Sequence, residues 1–395
     1  MTAAAFAPGQ AFGSPGDIDP SFGTNGSVVI DTPQDLSATD IAVAGDGSVY
    51  ALGFSSAETP ARITNTMVLA KLSAAGALDD EFGDGGLVIR PEFIPRDLEL
   101  SESGDLLVAG LVESGGAGVA RFDDSGAVDL AFGGGDGFAE TEQSGAIAEL
   151  ANGDILVLES GFALTKLEPS GDPVAEFDSE ATDIPDASST ALALLPDGGV
   201  AVAGSLWDGE EGQSDVAIAV FNTDGSLRDG FAEDGATIYP GPVDGYIESV
   251  ASISRHDEKL VIFGSTLTGV FRPGSAGLVA SVQPDGTLDS SFSQDGWLMT
   301  SFGDPDVDFS SGFVTTDAIV ATGGITPVYE PGEVDWPDAL FSAVGFDGSP
   351  ATAFPEGGSF DFDLDDRLND ARASAVAPEG DSFVILGHVS ERFPF

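Results

Sequence analysis

The sequence predicts an all-β protein whose repeated units close into a ring, and three observations carry that prediction. The first is a recurring phrase, most complete at Leu78-Asp79-Asp80-Glu81-Phe82-Gly83-Asp84-Gly85. It is announced at Ile18-Asp19-Pro20-Ser21-Phe22-Gly23 and returns in worn form along the chain. The second is its spacing. Aligned on the phenylalanine, the copies fall at Phe22, Phe82, Phe132, Phe177, Phe231, Phe292 and Phe354, separated by 60, 50, 45, 54, 61 and 62 residues. The third is that the intervening apolar runs are short and divided by Asp-Gly turns, the pattern of hairpin strands rather than of helices.

Each unit reads as four short strands, and the fourth is the cleanest. Thr190 to Leu195 is a small, apolar first strand, and Pro196-Asp197-Gly198 is a tight turn in which Pro presets φ and Gly supplies a positive one. Gly199 to Gly204 returns, Asp215 to Phe221 is the third strand, and Ala236 to Tyr239 the last. The first unit repeats the frame at Asp40 to Val43, Val49 to Gly53 and Met67 to Leu72. The second does so at Leu98 to Leu100, Leu106 to Gly110 and Gly118 to Phe122. The third, fifth and sixth follow at Ile147 to Leu158, Val250 to Gly264 and Phe313 to Gly323.

The last unit decides the topology. Ala371 to Val376 and Ser382 to Gly387 supply two strands before the chain ends. The strand and phrase they lack are expected at the N-terminus, around Phe6 to Phe12 and Ile18 to Ile30. Both ends would then share one unit, leaving no exposed sheet edge at a seam. Repeated four-stranded units of this length, closed on themselves, predict a seven-bladed β-propeller spanning 1-395 as one domain.

The phrase LD-x-x-FG-x-x-G, intact at Leu78 to Gly86 and with Ile for Leu at Ile18 to Gly26, resembles the Delta-60 (sixty-residue) repeat family of bacterial proteins. The unit plan also resembles NHL-repeat blades. The phrase decays at Glu176-Phe177 and at Ala353-Phe354-Pro355. The resemblance implies a propeller, brings no reaction with it, and implies that the first strand of each unit lines a central channel. Within the phrase, the phenylalanine is expected to fill the gap between neighbouring units and Asp79 to bond nearby amides in an Asx turn.

Composition narrows the partners. The formal charge is -54, from 67 acidic residues against 13 basic ones. Such a field repels nucleic-acid phosphates and anionic lipid. No apolar run approaches a membrane span, so no transmembrane segment is expected. With Cys 0, disulfides, thiol nucleophiles and Cys-ligated metals are excluded. Met1 to Pro8 carries no signal-peptide pattern in this numbering; an extracytoplasmic location is nevertheless the working expectation.

Chemistry-bearing residues are few. Of the two histidines, His256 is expected in a surface turn and His388 in a loop after the second strand of the closing unit. Asp304, Asp306 and Asp308, like Asp361, Asp363 and Asp365, alternate along the chain and are weak calcium candidates, because alternate side chains share a strand face without converging. No other cofactor is expected. The channel mouth, taken from the starts of first strands, would carry Asp40, Arg96, Asp97, Glu248, Asp370 and Arg372, a carboxylate and arginine set that an enzyme such as a hydrolase or lyase could use. The long connections between second and third strands hold Trp207, Phe271, Arg272, Tyr329 and Trp336, residue types favoured at binding hot spots. The sequence thus favours a non-enzymatic binding or scaffold propeller docking a protein, or a glycan, by that loop face. The enzyme and a calcium-stabilised surface protein are the alternatives.

Overall fold

Antiparallel meanders follow one another along the chain in the computed structural model, which describes residues 19–30, 36–58, 63–175, 177, 179, 184, 187–208, 213–243, 247–267, 274–300, 306–326, 338–352, 354, 359–362, 371–379 and 382–389. The first meander is β1 (Leu36–Val43), β2 (Val49–Glu58), β3 (Ile63–Leu72) and β4 (Leu87–Pro91). The second is β5 (Phe93–Leu100), β6 (Leu106–Val112), β7 (Gly116–Phe122) and β8 (Phe138–Thr141). The third has β9 (Ile147–Glu149), β10 (Ile155–Leu158) and β11 (Leu164–Leu167), with a 3-10 turn at Ser160–Phe162 in place of a long hairpin. The fourth is β12 (Ala187–Leu194), β13 (Val200–Asp208), β14 (Gln213–Phe221) and β15 (Ala236–Tyr239). The fifth is β16 (Ile247–His256), β17 (Lys259–Leu267), β18 (Ser275–Val282) and β19 (Trp297–Thr300). The sixth is β20 (Asp306–Val314), β21 (Ile319–Thr326), β22 (Asp338–Val344) and β23 (Ser359–Phe362), and β24 (Ala371–Glu379) with β25 (Ser382–Val389) forms a final hairpin. Among the described residues there is no α-helix, and no helix long and apolar enough to cross a membrane.

The third meander shows three strands among its described residues, and the stretch after its phrase, where the fourth is expected, lies largely outside them. The strands also run further than their apolar cores suggest, because pairing continues in register into stretches that read as loops. Ser55 to Glu58 pairs back onto Ile63 to Thr66, and Leu206 to Asp208 onto Gln213 to Asp215. For the same reason His256 ends β16, opposite Lys259, and His388 lies within β25 opposite Arg372, rather than in a turn or loop.

The core lies between meanders. Phe82 packs with Tyr50 and Leu52 of the first meander and Leu106 and Phe122 of the second. Phe132 does the same between the second and third, Phe231 between the fourth and fifth, and Phe292 between the fifth and sixth. Phe354 lies between the sixth meander and the final hairpin. The succession closes on itself, since Phe22 packs with Val49 and Leu72 of the first meander and with Ala375 and Leu386 of the final hairpin. The segment from Phe6 to Phe12, expected to supply a strand there, lies outside the described residues.

Hydrogen bonds tie the same joints. The amide after the wedge donates forward to a turn carbonyl of the next meander: Gly23 to Ala75, Gly83 to Ser125, Gly133 to Ser170, Ala232 to Asp285 and Ser293 to Asp347, all at 2.8–2.9 Å. The phrase aspartates form Asx turns, with Asp79 accepting from the Glu81 amide and Asp129 from the Ala131 amide. Gly83 takes φ 56, and a Cβ there would sit 2.2 Å from the Leu87 carbonyl oxygen, which explains why the phrase needs glycine at that point.

A second repeated device shapes the inner strands. In six first strands the register against the second strand slips by one residue, at Thr39, Arg96, Thr190, Ala251, Ser310 and Ser374. Each slip is a β-bulge, which re-aims one side chain and sharpens the local twist. Opposite the residue just before each bulge stands a glycine: Gly53, Gly110, Gly204, Gly264, Gly323 and Gly387. The reason is close approach. A Cβ on Gly264 would lie 1.9 Å from the Ser249 carbonyl oxygen, and one on Gly323 1.8 Å from that of Asp308.

Two substitutions test this account. Phe82→Ala should destabilise the protein by about 3–5 kcal/mol, the usual cost of emptying a buried phenylalanine site. Phe177→Ala, at a half-buried site where the phrase has decayed, should cost clearly less in the same urea titration. Gly264→Ala should lower the melting temperature although it adds only a methyl group, because the bulge carbonyl leaves no room for it.

Candidate functional site

The bulges converge on the inner face of the ring. Thr39, Arg96, Ser310 and Ser374, the slipped residues of β1, β5, β20 and β24, all line one cavity of about 400 Å³. Ala38, Phe54, Ile94, Pro95, Asp308 and Ala373 complete its wall. Ser310 donates its hydroxyl to the Ala373 carbonyl, fastening the sixth meander to the final hairpin at this wall. Arg96 is exposed here, and among the described residues it makes no ion pair or hydrogen bond.

The other described cations pair or pack: Arg90 lies over the Phe93 and Phe138 rings without an ion pair, and Arg255 donates to the Asp257 carbonyl. Lys71 pairs with Asp79 at 3.1 Å and lies over the Tyr50 and Phe82 rings. Arg121 pairs with Asp129, covers Phe132 and reaches the Pro169 carbonyl of the next meander. Lys166 pairs with Asp154, Arg228 with Asp197 and Lys259 with Asp289. Burial raises the Asp289 carboxyl, but hydrogen bonds from Lys259 and Ser291 outweigh it and bring its pKa to about 2.

The carboxyl groups expected at the channel mouth are turned elsewhere. Asp40 and Asp97 follow the bulge residues, and strand alternation points them into the joints between meanders rather than at the cavity. Asp40 accepts hydrogen bonds from the Ile41 and Leu98 amides, and Asp97 from the Ile147 amide at 2.6 Å. The two carboxyls share a hydrogen bond, and burial together with the Asp40 charge raises Asp97 well above the usual carboxylate range. Burial and the Asp40 charge also raise Glu99 to about 7. Glu248, 1% exposed, accepts from the Thr266 hydroxyl and is raised to about 7 by burial, with Asp215 adding to the effect. It belongs to the packed joint of β16 and β17, not to an open mouth. Asp370 lies outside the described residues, as does the side chain of Arg372, whose backbone pairs with His388.

Of the aromatic face, Phe271, Arg272, Tyr329 and Trp336 lie outside the described residues. Trp207 is on β13 near the hairpin end and is 52% exposed. Two residues that the sequence reading passed over occupy like positions: Ile63 at the start of β3, 57% exposed, and Leu267 at the end of β17, 40% exposed. A large apolar side chain flanking a second-to-third strand connection was the available signal. His256 stacks on Phe346 of the next meander with ring centroids 3.7 Å apart, a packing role. Among the calcium candidates, Asp306 accepts from the Ser275 amide and Asp308 lines the cavity. Asp304, Asp363, Asp365 and the Asp361 side chain are outside the described residues. No group of three or more acidic or histidine side chains gathers as a metal site among the described residues.

The buried carboxyls make stability depend on pH. Free glutamate carboxyls release their protons near 4.5, whereas the folded chain holds those on Glu99 and Glu248 to about 7. Folding therefore takes up protons in that window, so the stabilisation is complete below it and is lost as pH rises through about 7. The melting temperature at fixed ionic strength should fall between pH 5 and pH 8. Glu99→Gln and Glu248→Gln should each flatten that fall, and an unchanged slope in both would contradict the assignment.

No family model matches the sequence, and no curated protein matches it. Among solved structures, Sqt1 from Chaetomium thermophilum is similar at 13% identity with a TM-score of 0.43, over 91% of this chain and 96% of that one. The β-propeller domain of the Trilobed protease from Pyrococcus furiosus aligns at 9% identity and a TM-score of 0.40, over 79% and 82%. A protein of unknown function from Bacteroides caccae aligns at 11% identity and 0.42, over 76% and 94%.

Proposed function

We propose that this chain is a non-enzymatic recognition module, a seven-bladed β-propeller of the Delta-60 repeat type that docks a protein partner outside the cytoplasm. The observation that carries the binding reading is the placement of Ile63, Trp207 and Leu267. Each flanks the connection between the second and third strands of its own meander, in the first, fourth and fifth meanders respectively, and each is exposed. Exposed apolar side chains repeated at one topological position serve a contact better than they serve the fold. The formal charge of -54 favours a partner with a basic rim around that contact.

The carboxyl groups support the same reading. Asp40, Asp97 and Glu248, which an acid–base site would need, are committed to backbone amides, to a shared proton or to a packed joint. The count of seven blades is supported by the phrase spacing and by the packing of Phe22 between the final hairpin and the first meander.

Co-purification from the native source, followed by mass spectrometry, identifies the partner. Trp207→Ala combined with Ile63→Ser should then weaken its recovery at least about tenfold, as loss of a hot-spot pair does, with the melting temperature unchanged. Undiminished recovery, or the absence of any stoichiometric partner, overturns the proposal.

A further inference from the structure

We infer that the cavity on the inner face of the ring is a binding site for a small polyhydroxylated carboxylate, a sugar acid, with Arg96 as its carboxylate anchor. The proposal stands apart from the hairpin ends and concerns a different part of the molecule.

Three observations support it. The wall is built by one device used four times, the bulge that brings Thr39, Arg96, Ser310 and Ser374 to the cavity, while the carboxyls of Asp40 and Asp97 that follow two of them turn into the joints. Because a bulge residue is released from the strand's alternation, its identity is free of the packing that fixes its neighbours. Five of the six bulge residues are small: two serines, two threonines and an alanine. The other is arginine.

Arg96 is also unpaired among the described residues of a chain with 67 acidic residues and 13 basic ones, where Lys71, Arg121, Lys166, Arg228 and Lys259 have carboxylates, Arg90 is covered by the Phe93 and Phe138 rings, and Arg255 donates to the Asp257 carbonyl. A guanidinium kept free of such a surplus of acid has its planar fork available for an incoming carboxylate. The charge of the whole molecule disfavours multiply charged anions, so a single carboxylate suits the site better than a phosphate ester.

The third observation is the rest of the lining. Ser374 offers a hydroxyl group, Ser310, whose proton goes to the Ala373 carbonyl, offers a hydroxyl oxygen, and Asp308 can accept from ligand hydroxyls, while Phe54, Ile94 and Pro95 give an apolar wall for a ring face. A volume of about 400 Å³ falls in the usual small-ligand range. Polar groups from the sixth meander and the final hairpin would thus face a ligand held at its carboxylate by the second meander.

Isothermal titration of the full chain with D-galacturonate, D-galactose and lactate tests the proposal. Galacturonate should bind saturably, and galactose, with a similar set of hydroxyls but no carboxylate, at least about tenfold more weakly. Lactate, with the carboxylate and a single hydroxyl, should also bind more weakly than galacturonate. Arg96→Ala should abolish the galacturonate heat while leaving the melting temperature unchanged, since the side chain is exposed. Asp308→Asn, which removes a like charge from the wall, should tighten binding. No saturation by either carboxylate below about 10 mM, galactose binding equal to galacturonate, or an Arg96→Ala isotherm that overlays the wild type would each overturn the proposal. Lactate equal to galacturonate would overturn the sugar-acid assignment.

Discussion

The structure depends on one joint, repeated around the chain: a buried phenylalanine wedged between two antiparallel meanders, with the amide behind it bonded to a turn of the next. The wedge supplies apolar burial, which is large but non-directional. The forward hydrogen bond supplies direction, because it fixes which turn of the neighbour each phrase must meet. Together they convert a string of hairpins, each too small to hold an independent core, into a body whose core is distributed among its joints. The cations serve the same joint. Lys71 and Arg121 each pair with the phrase aspartate and lie over the phrase ring, so the sparse positive charge is spent where an exposed carboxylate would otherwise stand beside a buried aromatic.

The joint was legible in the sequence because it needs particular residues at particular offsets. Phenylalanine marks the wedge, aspartate the Asx turn and glycine a positive φ, so the phrase survives as a readable motif even where its flanks vary. Strand existence was legible for a similar reason, since alternation and Asp-Gly turns leave a mark in the composition. Strand ends were not. Ser55 to Glu58 and Leu206 to Asp208 are polar or mixed, and what makes them strand is a partner across the hairpin rather than any local preference.

The site was less legible than the fold. Arg96 and Asp97 are adjacent, and a linear reading assigns both to the channel mouth. The bulge separates them, sending Arg96 to the cavity and Asp97 to the amide of Ile147. A one-residue slip in register has no sequence signature of its own. Its trace is the glycine on the partner strand, Gly110 here, which reads from sequence as ordinary strand punctuation. The same blindness applies to Glu248, whose burial depends on how β16 and β17 pack around it rather than on its neighbours in the chain.

The closure at Phe22 has a consequence for how the molecule comes into being. Every other joint is made between stretches near one another in the chain, so each can form soon after its second member leaves the ribosome. The joint of the first meander with the final hairpin is different, since Val49 and Leu72 must wait for Ala375 and Leu386. Until then the first meander presents an uncovered apolar face, and the loop to be closed runs from the first meander to the final hairpin. The slowest contact therefore waits for the final hairpin to be made, and a chain stalled before residue 371 would carry the surface on which chaperones and aggregation compete.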